Sequence, residues 1–314
     1  MKILVYGAGV LGSYLAHVLA RGGNDVTVLA RGKRYEELTK DGIVIRHYFQ
    51  RKTTVDKVRV IHHLSSEEMY DLIFVVMKYN DFPSVLPILA QNQSSHIVLV
   101  GNNADAHEMQ NDLQKNSAVK KNIVFGFQLS GGRREADRMI CIRGGGHMVL
   151  GSLEGELSFK PLLEKAFEKV KYKLDYQEDM DAWLKSHIVT ILAMNAISIT
   201  SDNQFKKIAK NKKLLMQMIT AIDEGFKVLE SLGYTIIPAN QVKFIRNYRG
   251  MVYSFLKIYH MSPITKLIDG SPYEIAALMN KFAILKQKSN VLTPHLDEIA
   301  QQFNAKFVEI AKQN

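Results

Sequence analysis

The stretch Lys2-Ile-Leu-Val-Tyr-Gly-Ala-Gly-Val-Leu-Gly-Ser13 decides the fold at the start of this 314-residue chain. The apolar run from Ile3 to Tyr6 predicts a buried strand, and the pattern from Val10 to Ala20 predicts an amphipathic helix directly behind it. The glycines that separate the two follow the spacing G-x-G-x-x-G. Between a strand and a helix, this spacing is typical of the first turn of a dinucleotide-binding domain.

Each glycine of this turn has its own predicted role. Gly7 permits the tight turn, Gly9 lets the backbone approach a pyrophosphate, and Gly12 lets the helix pack closely on the strand. The helix start adds free N–H groups and a partial positive charge, which favour a phosphate. We therefore predict a cofactor-binding loop made of Gly7, Ala8, Gly9, Val10, Leu11 and Gly12.

Apolar runs with little polar alternation recur along the first half of the chain. Such runs are typical of strands buried on both faces of a parallel sheet. They are Val26 to Ala30, Leu72 to Met77 and Ile97 to Val100, followed by the shorter Ile123 to Phe125, Met139 to Ile142 and Met148 to Leu150, which suggest edge strands. The pattern predicts an α/β fold, with a Rossmann-type doubly wound sheet in residues 1–173.

The second part of the chain, residues 174–314, has a helical period nearly throughout. We predict an all-α domain there. Its expected long helices are Met180 to Thr200, Lys213 to Leu232, Asn240 to Phe255, Tyr273 to Lys288 and Pro294 to Ala311. Their apolar faces leave room for a homodimer interface.

The composition excludes several classes of protein. A hydrophobic content of 46% with 23% charged residues is typical of a soluble globular protein. The single cysteine, Cys141, cannot form an intramolecular disulfide, which favours the cytoplasm, and no zinc-site spacing occurs. The net charge of +10 comes from scattered basic residues, so we expect no nucleic acid or membrane partner and no metal. A positive field suits an acidic substrate and a phosphorylated cofactor.

Basic residues near the ends of predicted strands indicate which cofactor binds. Arg31 follows the second strand, where an NAD-selective domain usually carries an acidic residue, and Lys33 and Arg34 come shortly after it. This favours the 2′-phosphate of NADPH. Lys78 follows another strand at the same predicted edge, and Asn102 follows the next one, where an amide can bond the cofactor or a carbonyl substrate.

In this order, the residues resemble the ketopantoate reductase (2-dehydropantoate 2-reductase) family over nearly the whole chain. The resemblance implies an NADPH-dependent reductase of a 2-oxo acid in pantothenate biosynthesis. It rests on the glycine motif, Arg31, Lys78, Asn102, the segment Trp183-Leu184-Lys185, and Ser262 twelve residues before Glu274.

The resemblance also implies roles for single residues. Lys185 would donate a proton to the substrate oxygen, and the apolar residues after it predict a partly desolvated ammonium group. Glu274 would bond the reacting hydroxyl or the ribose and hold the ammonium. Asn102 and Gly132 would contact the cofactor, while Asn102, Lys185, Asn203 and Ser262 would bind the substrate. From the residues alone, Asn203 fits a helix cap and Ser262 fits a turn equally well.

The chain departs from the family pattern where asparagines usually bind the substrate. Val189 and Ala193 stand four and eight residues beyond Lys185, and Asn103, Tyr259 and Ala276 replace further family residues. An apolar group cannot form a hydrogen bond with the hydroxyl group of ketopantoate, so a different 2-oxo acid, branched or aromatic, is an alternative substrate.

Three further points remain open from the sequence. His187 lies about 200° around the helix from Lys185 and is expected to be a packed histidine. Asn195 is out of phase with Lys185 and is not assigned to the site. The last alternative is a non-catalytic NADPH-binding sensor, against which the presence of both Lys185 and Glu274 argues.

Overall fold

The computed structural model describes residues 1–142, 146–267 and 270–313, and the chain forms two compact units. The first unit contains Met1–Gly101 and Asp105–Met180, and the second contains Asn102–Ala104 and Asp181–Asn314. The sequence prediction divided the chain after residue 173, whereas the contacts of the structure divide it after Met180. The difference arises because the strand Tyr172–Tyr176 pairs within the sheet of the first unit.

The first unit is built on an eight-stranded sheet. Its order is β12-β11-β8-β7-β6-β1-β2-β5, and the pairs from β5 to β8 are all parallel. This confirms the predicted Rossmann-type sheet. The strands are β1 Lys2–Tyr6, β2 Asp25–Leu29, β3 Ile43–His47, β4 Lys52–Asp56, β5 Arg59–Ile61, β6 Leu72–Val76, β7 His96–Val100, β8 Asn122–Gln128, β9 Gly132–Arg134, β10 Met139–Cys141, β11 Gly146–Gly151 and β12 Tyr172–Tyr176.

The central strands owe their position to their apolar side chains. All five residues of β6 and the last four of β1 are buried, which is the pattern of strands covered on both faces. The helices of this unit are α1 Val10–Arg21, α2 Lys33–Asp41, α3 Leu86–Gln91, α4 Ala106–Asn116 and α5 Lys160–Phe167, with a short 3₁₀ helix at Tyr79–Ser84.

A second, four-stranded sheet in this unit is not predicted by the sequence. Its order is β4-β3-β10-β9. The segment around Met139, expected as an edge strand of the main sheet, instead pairs in parallel with β3, from Met139 opposite Ile45 to Cys141 opposite His47. The pairing joins segments far apart in sequence, and β4 is largely polar, so no local pattern identifies it.

The described residues of the second unit form helices without strands, which confirms the predicted all-α part. The helices are α6 Met180–Thr200, α7 Phe205–Lys210, α8 Lys212–Ser231, α9 Asn240–Asn247, α10 Arg249–Met261, α11 Pro272–Lys286 and α12 Pro294–Gln313. The helix predicted over 240–255 is interrupted at Tyr248, whose φ of −123° and ψ of 40° are not helical. A short 3₁₀ helix at Pro263–Leu267 follows α10.

The helix α6 is long and apolar enough to cross a membrane by length and composition. However, 72% of its most apolar window is buried inside the protein. Buried residues such as Ile188, Leu192 and Ile197 give it the character of a core helix.

A buried carboxylate holds the start of the last helix. Glu224, on α8 and 6% exposed, accepts hydrogen bonds from the backbone N–H groups of His295 and Leu296 at 3.0 and 2.9 Å. The ring Nδ1 of His295 lies 2.7 Å from the same carboxylate. These contacts satisfy helix-start donors and place a negative charge at the positive end of α12.

We predict that Glu224→Ala lowers the free energy of unfolding by about 3 kcal/mol, because it leaves buried donors at the start of α12 without an acceptor. The measurement is urea unfolding followed by circular dichroism. Glu178→Ala, at an exposed position, serves as the matched control and should change stability by less than about 0.5 kcal/mol. Equal stability of the two variants would contradict this role of Glu224.

Candidate active site

The glycine loop joins β1 to α1 and depends on two residues without side chains. Gly7 has a φ of +116°, and a Cβ there would lie 2.3 Å from the carbonyl oxygen of Val76 on β6. A Cβ on Gly12 would lie 1.9 Å from the carbonyl oxygen of Gly7. Both distances are far below van der Waals contact, so the loop requires glycine at these two positions.

Gly9 differs from its two neighbours in the motif. A Cβ at this position would meet nothing within 4 Å. Its φ of −66° is accessible to every residue, so neither backbone conformation nor packing explains the glycine. Open space beside a bare backbone, at the start of α1, fits the close approach of a phosphate group. The loop therefore fits the pyrophosphate that the sequence predicts.

The three basic residues after β2 divide into two groups. Arg34 is bound to the loop itself, since its Nε donates to the carbonyl oxygen of Ala8 at 3.2 Å and its Nη2 to the Ser13 hydroxyl at 3.3 Å. Burial lowers the pKa of Arg34, and the bond to Glu37 opposes this shift. Arg31 and Lys33 are exposed. Arg34 thus stabilises the loop, and the other two remain the candidates for a 2′-phosphate.

Arg31 also acts on the strand that precedes the loop. Burial raises the pKa of the Tyr6 hydroxyl, and the positive charge of Arg31 opposes that rise.

Two further predicted cofactor contacts lie at strand ends of the same unit. Lys78 is exposed and follows β6 at the start of the 3₁₀ helix. Gly132 begins β9, where a Cβ would lie 2.0 Å from the carbonyl oxygen of Ile140 and 2.9 Å from Cγ1 of Val10. Gly132 therefore packs against the first residue of α1, directly behind the glycine loop.

In the second unit, Asn102 is bonded to Glu274. The Asn102 Nδ2 donates to the Glu274 Oε1 at 3.1 Å, although 172 residues separate the two. Glu274 lies in the first turn of α11, where the Ser271 hydroxyl accepts from the Glu274 N–H at 3.5 Å. The other side-chain atom of Asn102, Oδ1, is buried and has no hydrogen-bond partner among the described residues. The Asn102 Oδ1 is therefore a buried acceptor that is open to a hydrogen bond from a ligand.

Lys185 occupies a nearly buried position on α6. Its side chain is 9% exposed, and its Nζ forms an ion pair with Asp181, one turn earlier on the helix. The same Nζ lies 4.8 Å from the centre of the Tyr234 ring. Asp181 is thus the carboxylate that contacts the Lys185 ammonium group in the structure, whereas the role predicted for Glu274 stays a prediction.

Sequence reasoning missed both neighbours of Lys185. Asp181 stands at the i−4 position on the same helix, so helical spacing alone would have found it. Tyr234 lies beyond the end of α8, and no local pattern connects it to Lys185. The sequence predicts that the Lys185 ammonium group is partly desolvated, and its side chain is indeed nearly buried. The negative charge of Asp181 compensates the charge of this ammonium group and so reduces the free-energy cost of burying it.

The residues that depart from the family pattern are packed in the helical core. Val189 is 1% exposed, and its Cγ1 would lie 2.6 Å from a Cβ on Gly225 of α8. Ala193 is fully buried. Asn195, left out of the predicted site, faces the loop before α11, with its Oδ1 3.1 Å from a Cβ built on Gly270. At these two positions, Val189 and Ala193, apolar side chains packed in the helical core therefore stand where the family usually has asparagines.

Asn203 and Ser262, predicted to bind the substrate, line one cavity of about 620 Å³. Lys185, Asn102 and Glu274 are not among the residues that line it. Asn203 has a φ of +55° in the turn after α6, a conformation that asparagine tolerates. Ser262 ends α10, and its hydroxyl accepts from the Ile264 N–H at 3.3 Å. The structure thus gives each residue a local role.

His187 is a packed histidine, as expected. Its ring stacks on Trp183 with the centroids 5.1 Å apart and an angle of 12° between the planes. Burial lowers the pKa of His187 to about 4, so the ring is neutral near pH 7.

A bare glycine loop on a parallel sheet, followed by an all-helical unit, defines a dinucleotide-binding protein of the Rossmann class. A family model described as "Ketopantoate reductase PanE/ApbA" matches residues 3–155. The 2-dehydropantoate 2-reductase of Pyrococcus horikoshii is 23% identical over 286 residues, which are 89% of this chain and 92% of that protein. Residues 3–155 therefore match the ketopantoate reductase family, which confirms the predicted resemblance, and the relatives that are similar over most of the chain are named as oxidoreductases.

Solved structures share the fold over the full length of the chain. The 2-dehydropantoate 2-reductase from Methylococcus capsulatus has a TM-score of 0.73 at 19% identity and covers 100% of this chain and 98% of its own. A ternary structure of D-mandelate dehydrogenase with NADH and anilino(oxo)acetate has a TM-score of 0.79 at 17% identity, with 99% of each chain covered.

We predict that acid destabilises the protein through His187. The pKa of this histidine is about 4 in the fold, against about 6.5 in the unfolded chain, so the unfolded chain binds more protons between these values. Stability should therefore fall as the pH drops from 6.5 to 4, by up to about 3 kcal/mol from this residue.

The test is urea unfolding of the wild type and of His187→Gln at pH 7 and at pH 4.5. The variant should lose less stability on acidification than the wild type, whereas His63→Gln, at an exposed position, should behave as the wild type. An unchanged acid response of the His187 variant would refute this assignment.

Proposed function

We propose that the protein reduces a 2-oxo acid to a 2-hydroxy acid with NADPH, and that Lys185 donates the proton. The second unit supplies the polar groups for the reacting oxygen, and the glycine loop of the first unit binds the cofactor pyrophosphate. The observation that carries the proposal is the bonded pair Asn102 and Glu274, with one Asn102 atom left vacant.

The vacant Asn102 Oδ1 calls for a ligand with a hydrogen-bond donor. A buried acceptor without a partner costs about 1 to 3 kcal/mol, so a ligand that supplies the donor regains that energy. The carboxamide NH₂ of a nicotinamide and the new hydroxyl of a 2-hydroxy acid both have such a donor. The carbonyl group of the substrate has none. Asn102 therefore favours the cofactor or the product over a bare carbonyl.

The burial and the contacts of the Lys185 side chain support its proposed role in proton transfer. A bound nicotinamide cofactor supplies a hydride to the carbonyl carbon. Lys185 passes a proton from its Nζ to the carbonyl oxygen, so that C=O becomes CH–OH and the amine regains its proton from water. Asp181 and the Tyr234 ring restrict the ammonium group to one position, and such preorganisation favours transfer.

Arg31 and Lys33 support NADPH as the cofactor. Both are exposed cations after β2, where the adenosine ribose of a Rossmann-bound cofactor lies, and no acidic residue stands there to bond a ribose hydroxyl. Arg34 is engaged with the loop, so the selectivity should depend on Arg31 first.

A branched or aromatic 2-oxo acid is favoured over ketopantoate as the substrate. The two positions after Lys185 that usually carry amides in the family are Val189 and Ala193, and both are packed in the helical core. The D-mandelate dehydrogenase that shares this fold was solved with the aromatic compound anilino(oxo)acetate. A pocket without these amides gains little from the hydroxyl group of ketopantoate.

We predict that Lys185→Ala lowers kcat for reduction by at least about a hundredfold, the usual contribution of a positioned general acid. The measurement is NADPH oxidation against a panel of aliphatic, branched and aromatic 2-oxo acids. Lys227→Ala, on the neighbouring helix α8 and half exposed, is the matched control and should keep the wild-type rate. Wild-type turnover by the Lys185 variant would exclude the mechanism. Tight NADPH binding without turnover on any acid would support the sensor instead.

We predict that Gly9→Ala folds with wild-type stability but binds NADPH at least about tenfold more weakly, because the added methyl group enters the space left for the pyrophosphate. Gly12→Ala should lose stability as well, since its Cβ collides with the Gly7 carbonyl. Thermal unfolding and fluorescence titration separate the two effects. Unchanged NADPH affinity of Gly9→Ala would remove the pyrophosphate from this loop.

Arg31→Ala tests the choice of cofactor in the same titration. It should weaken NADPH binding by about tenfold or more and leave NADH binding nearly unchanged, since Arg31 would bond the 2′-phosphate. Arg138→Ala, an exposed arginine paired with Glu135, is the control. Equal losses for both cofactors would show that Arg31 does not read the phosphate.

A further inference from the structure

Gln128, the last residue of β8, is buried without a hydrogen-bond partner for its side chain. The residue is 1% exposed, and neither its Nε2 nor its Oε1 has a partner among the described residues. The hydroxyl group of Ser130, two residues further on, is also buried and also lacks one there. Native proteins leave few buried polar groups unpaired, because each one lowers stability. Three such atoms within three residues therefore require an explanation.

These atoms lie at the carboxyl edge of the parallel part of the main sheet. β8 runs parallel to β7, and the Gly126 carbonyl oxygen accepts a hydrogen bond from the N–H of Gly101, just beyond the end of β7. After Gln128 the chain reaches Gly132, where a Cβ would lie 2.9 Å from Cγ1 of Val10, the first residue of α1. The segment between them therefore runs from the end of β7 to the start of the helix behind the glycine loop.

This segment follows the course that a dinucleotide takes across a Rossmann sheet. Such a cofactor places its pyrophosphate at the start of the first helix and extends in both directions along the carboxyl edge of the strands. The adenosine half would extend toward β2, after which Arg31 and Lys33 stand. The nicotinamide half would then extend the other way, toward β7 and β8, which lie on the opposite side of β1 in the sheet order. Gln128 stands at that end of the proposed cofactor path.

Gln128 also faces the side of the sheet that α1 covers. Side chains two and four residues apart on a strand share a face, so Gln128 shares its face with Gly126 and Val124. Val124 belongs to the buried core that contains Tyr14 and Leu15 of α1. The Gln128 amide thus lies on the same side of the sheet as the helix whose start the pyrophosphate would occupy.

The unpaired atoms match the chemistry of a primary carboxamide. The Gln128 side chain offers an NH₂ donor and a carbonyl acceptor, and the Ser130 hydroxyl can donate or accept. The carboxamide of a nicotinamide presents the complementary carbonyl and NH₂ groups, so the two amides can join through a pair of hydrogen bonds. A carboxylate has no donor and would leave the Gln128 Oε1 unpaired. An apolar group would leave both atoms unpaired.

We propose that Gln128, assisted by Ser130, binds the carboxamide of the nicotinamide ring and so sets the orientation of that ring. This inference rests on the proposed function, because it requires a nicotinamide cofactor. Gln128 takes no part in the transfer of hydride or proton. Since the carboxamide removes the two-fold symmetry of the pyridine ring, holding it prevents the ring from turning over. One face of the ring carbon that carries the hydride is then presented to the substrate.

The test compares two ligands on the full chain by isothermal titration calorimetry. They are NADP⁺ and 2′-phospho-ADP-ribose, which lacks the nicotinamide ring. Gln128→Met removes both polar atoms at similar volume. It should weaken NADP⁺ binding by at least about tenfold and change the affinity for 2′-phospho-ADP-ribose by less than about twofold. Ser130→Ala should show the same selectivity with a smaller loss.

Thermal unfolding of the ligand-free protein gives a second readout. Gln128→Met should raise Tm by about 2 °C or more, because it removes an unpaired buried amide. A glutamine with a purely structural role would lose stability on the same substitution. Gln93→Met, at an exposed position shortly before β7, is the matched control and should change neither Tm nor either affinity.

Two kinds of failure are distinguishable. Equal losses for both ligands, an unchanged NADP⁺ affinity of Gln128→Met, or a lower Tm of this variant would overturn the role of Gln128 and leave the proposed cofactor in place. A wild-type chain that binds neither NADP⁺ nor 2′-phospho-ADP-ribose would overturn the proposed function and this inference with it.

Discussion

The first turn of the chain can close only where two residues have no side chain. The carbonyl oxygen of Val76 occupies the place of a Cβ on Gly7, and the carbonyl oxygen of Gly7 occupies the place of a Cβ on Gly12. This close approach sets α1 against β1 and β6, and it directs the start of α1 toward the open space at Gly9. Arg34 stabilises the loop through a hydrogen bond from its Nε to the carbonyl oxygen of Ala8. The cofactor end of the first unit depends on this arrangement.

The second unit buries several polar groups in a largely apolar helical core. Two buried charges among the described residues of this unit have partners: Lys185 pairs with Asp181, and Glu224 accepts from the backbone donors of α12. The Asn102 amide is held by Glu274 at one atom and left vacant at the other. A buried acceptor without a partner among the described residues is a place where a ligand with a hydrogen-bond donor can bind.

The sequence predicts the parts of the fold that local patterns determine. The strands around β1 and β6 follow from uninterrupted apolar runs, and α6 is predicted from Met180 to Thr200 as observed. Long-range pairing is different. The parallel contact between β10 and β3 joins segments about ninety residues apart in the sequence. The sequence of β4 is largely polar and lacks the apolar run that predicts a buried strand. The sequence also does not predict the break between α9 and α10 at Tyr248, because no glycine or proline stands at this position.

The same limit applies to the candidate site. The glycine roles follow from spacing, and the i−4 position of Asp181 could have been found by the same reasoning. The Tyr234 ring beside Lys185 could not, since it comes from a loop nearly fifty residues away in sequence. Arg31 and Arg34 look equivalent in the sequence, and the structural role of Arg34 emerges only from the bonds that it makes to the loop.

In the proposed reaction, hydride passes directly from the nicotinamide to the carbonyl carbon of a 2-oxo acid. This transfer is tested by supplying NADPH with deuterium at both C4 positions to the wild-type protein, together with branched and aromatic 2-oxo acids, and analysing the products by mass spectrometry and NMR. The expected product is a 2-hydroxy acid with a single deuterium at C2. A product without deuterium at C2, or no product from any of the acids, would contradict it.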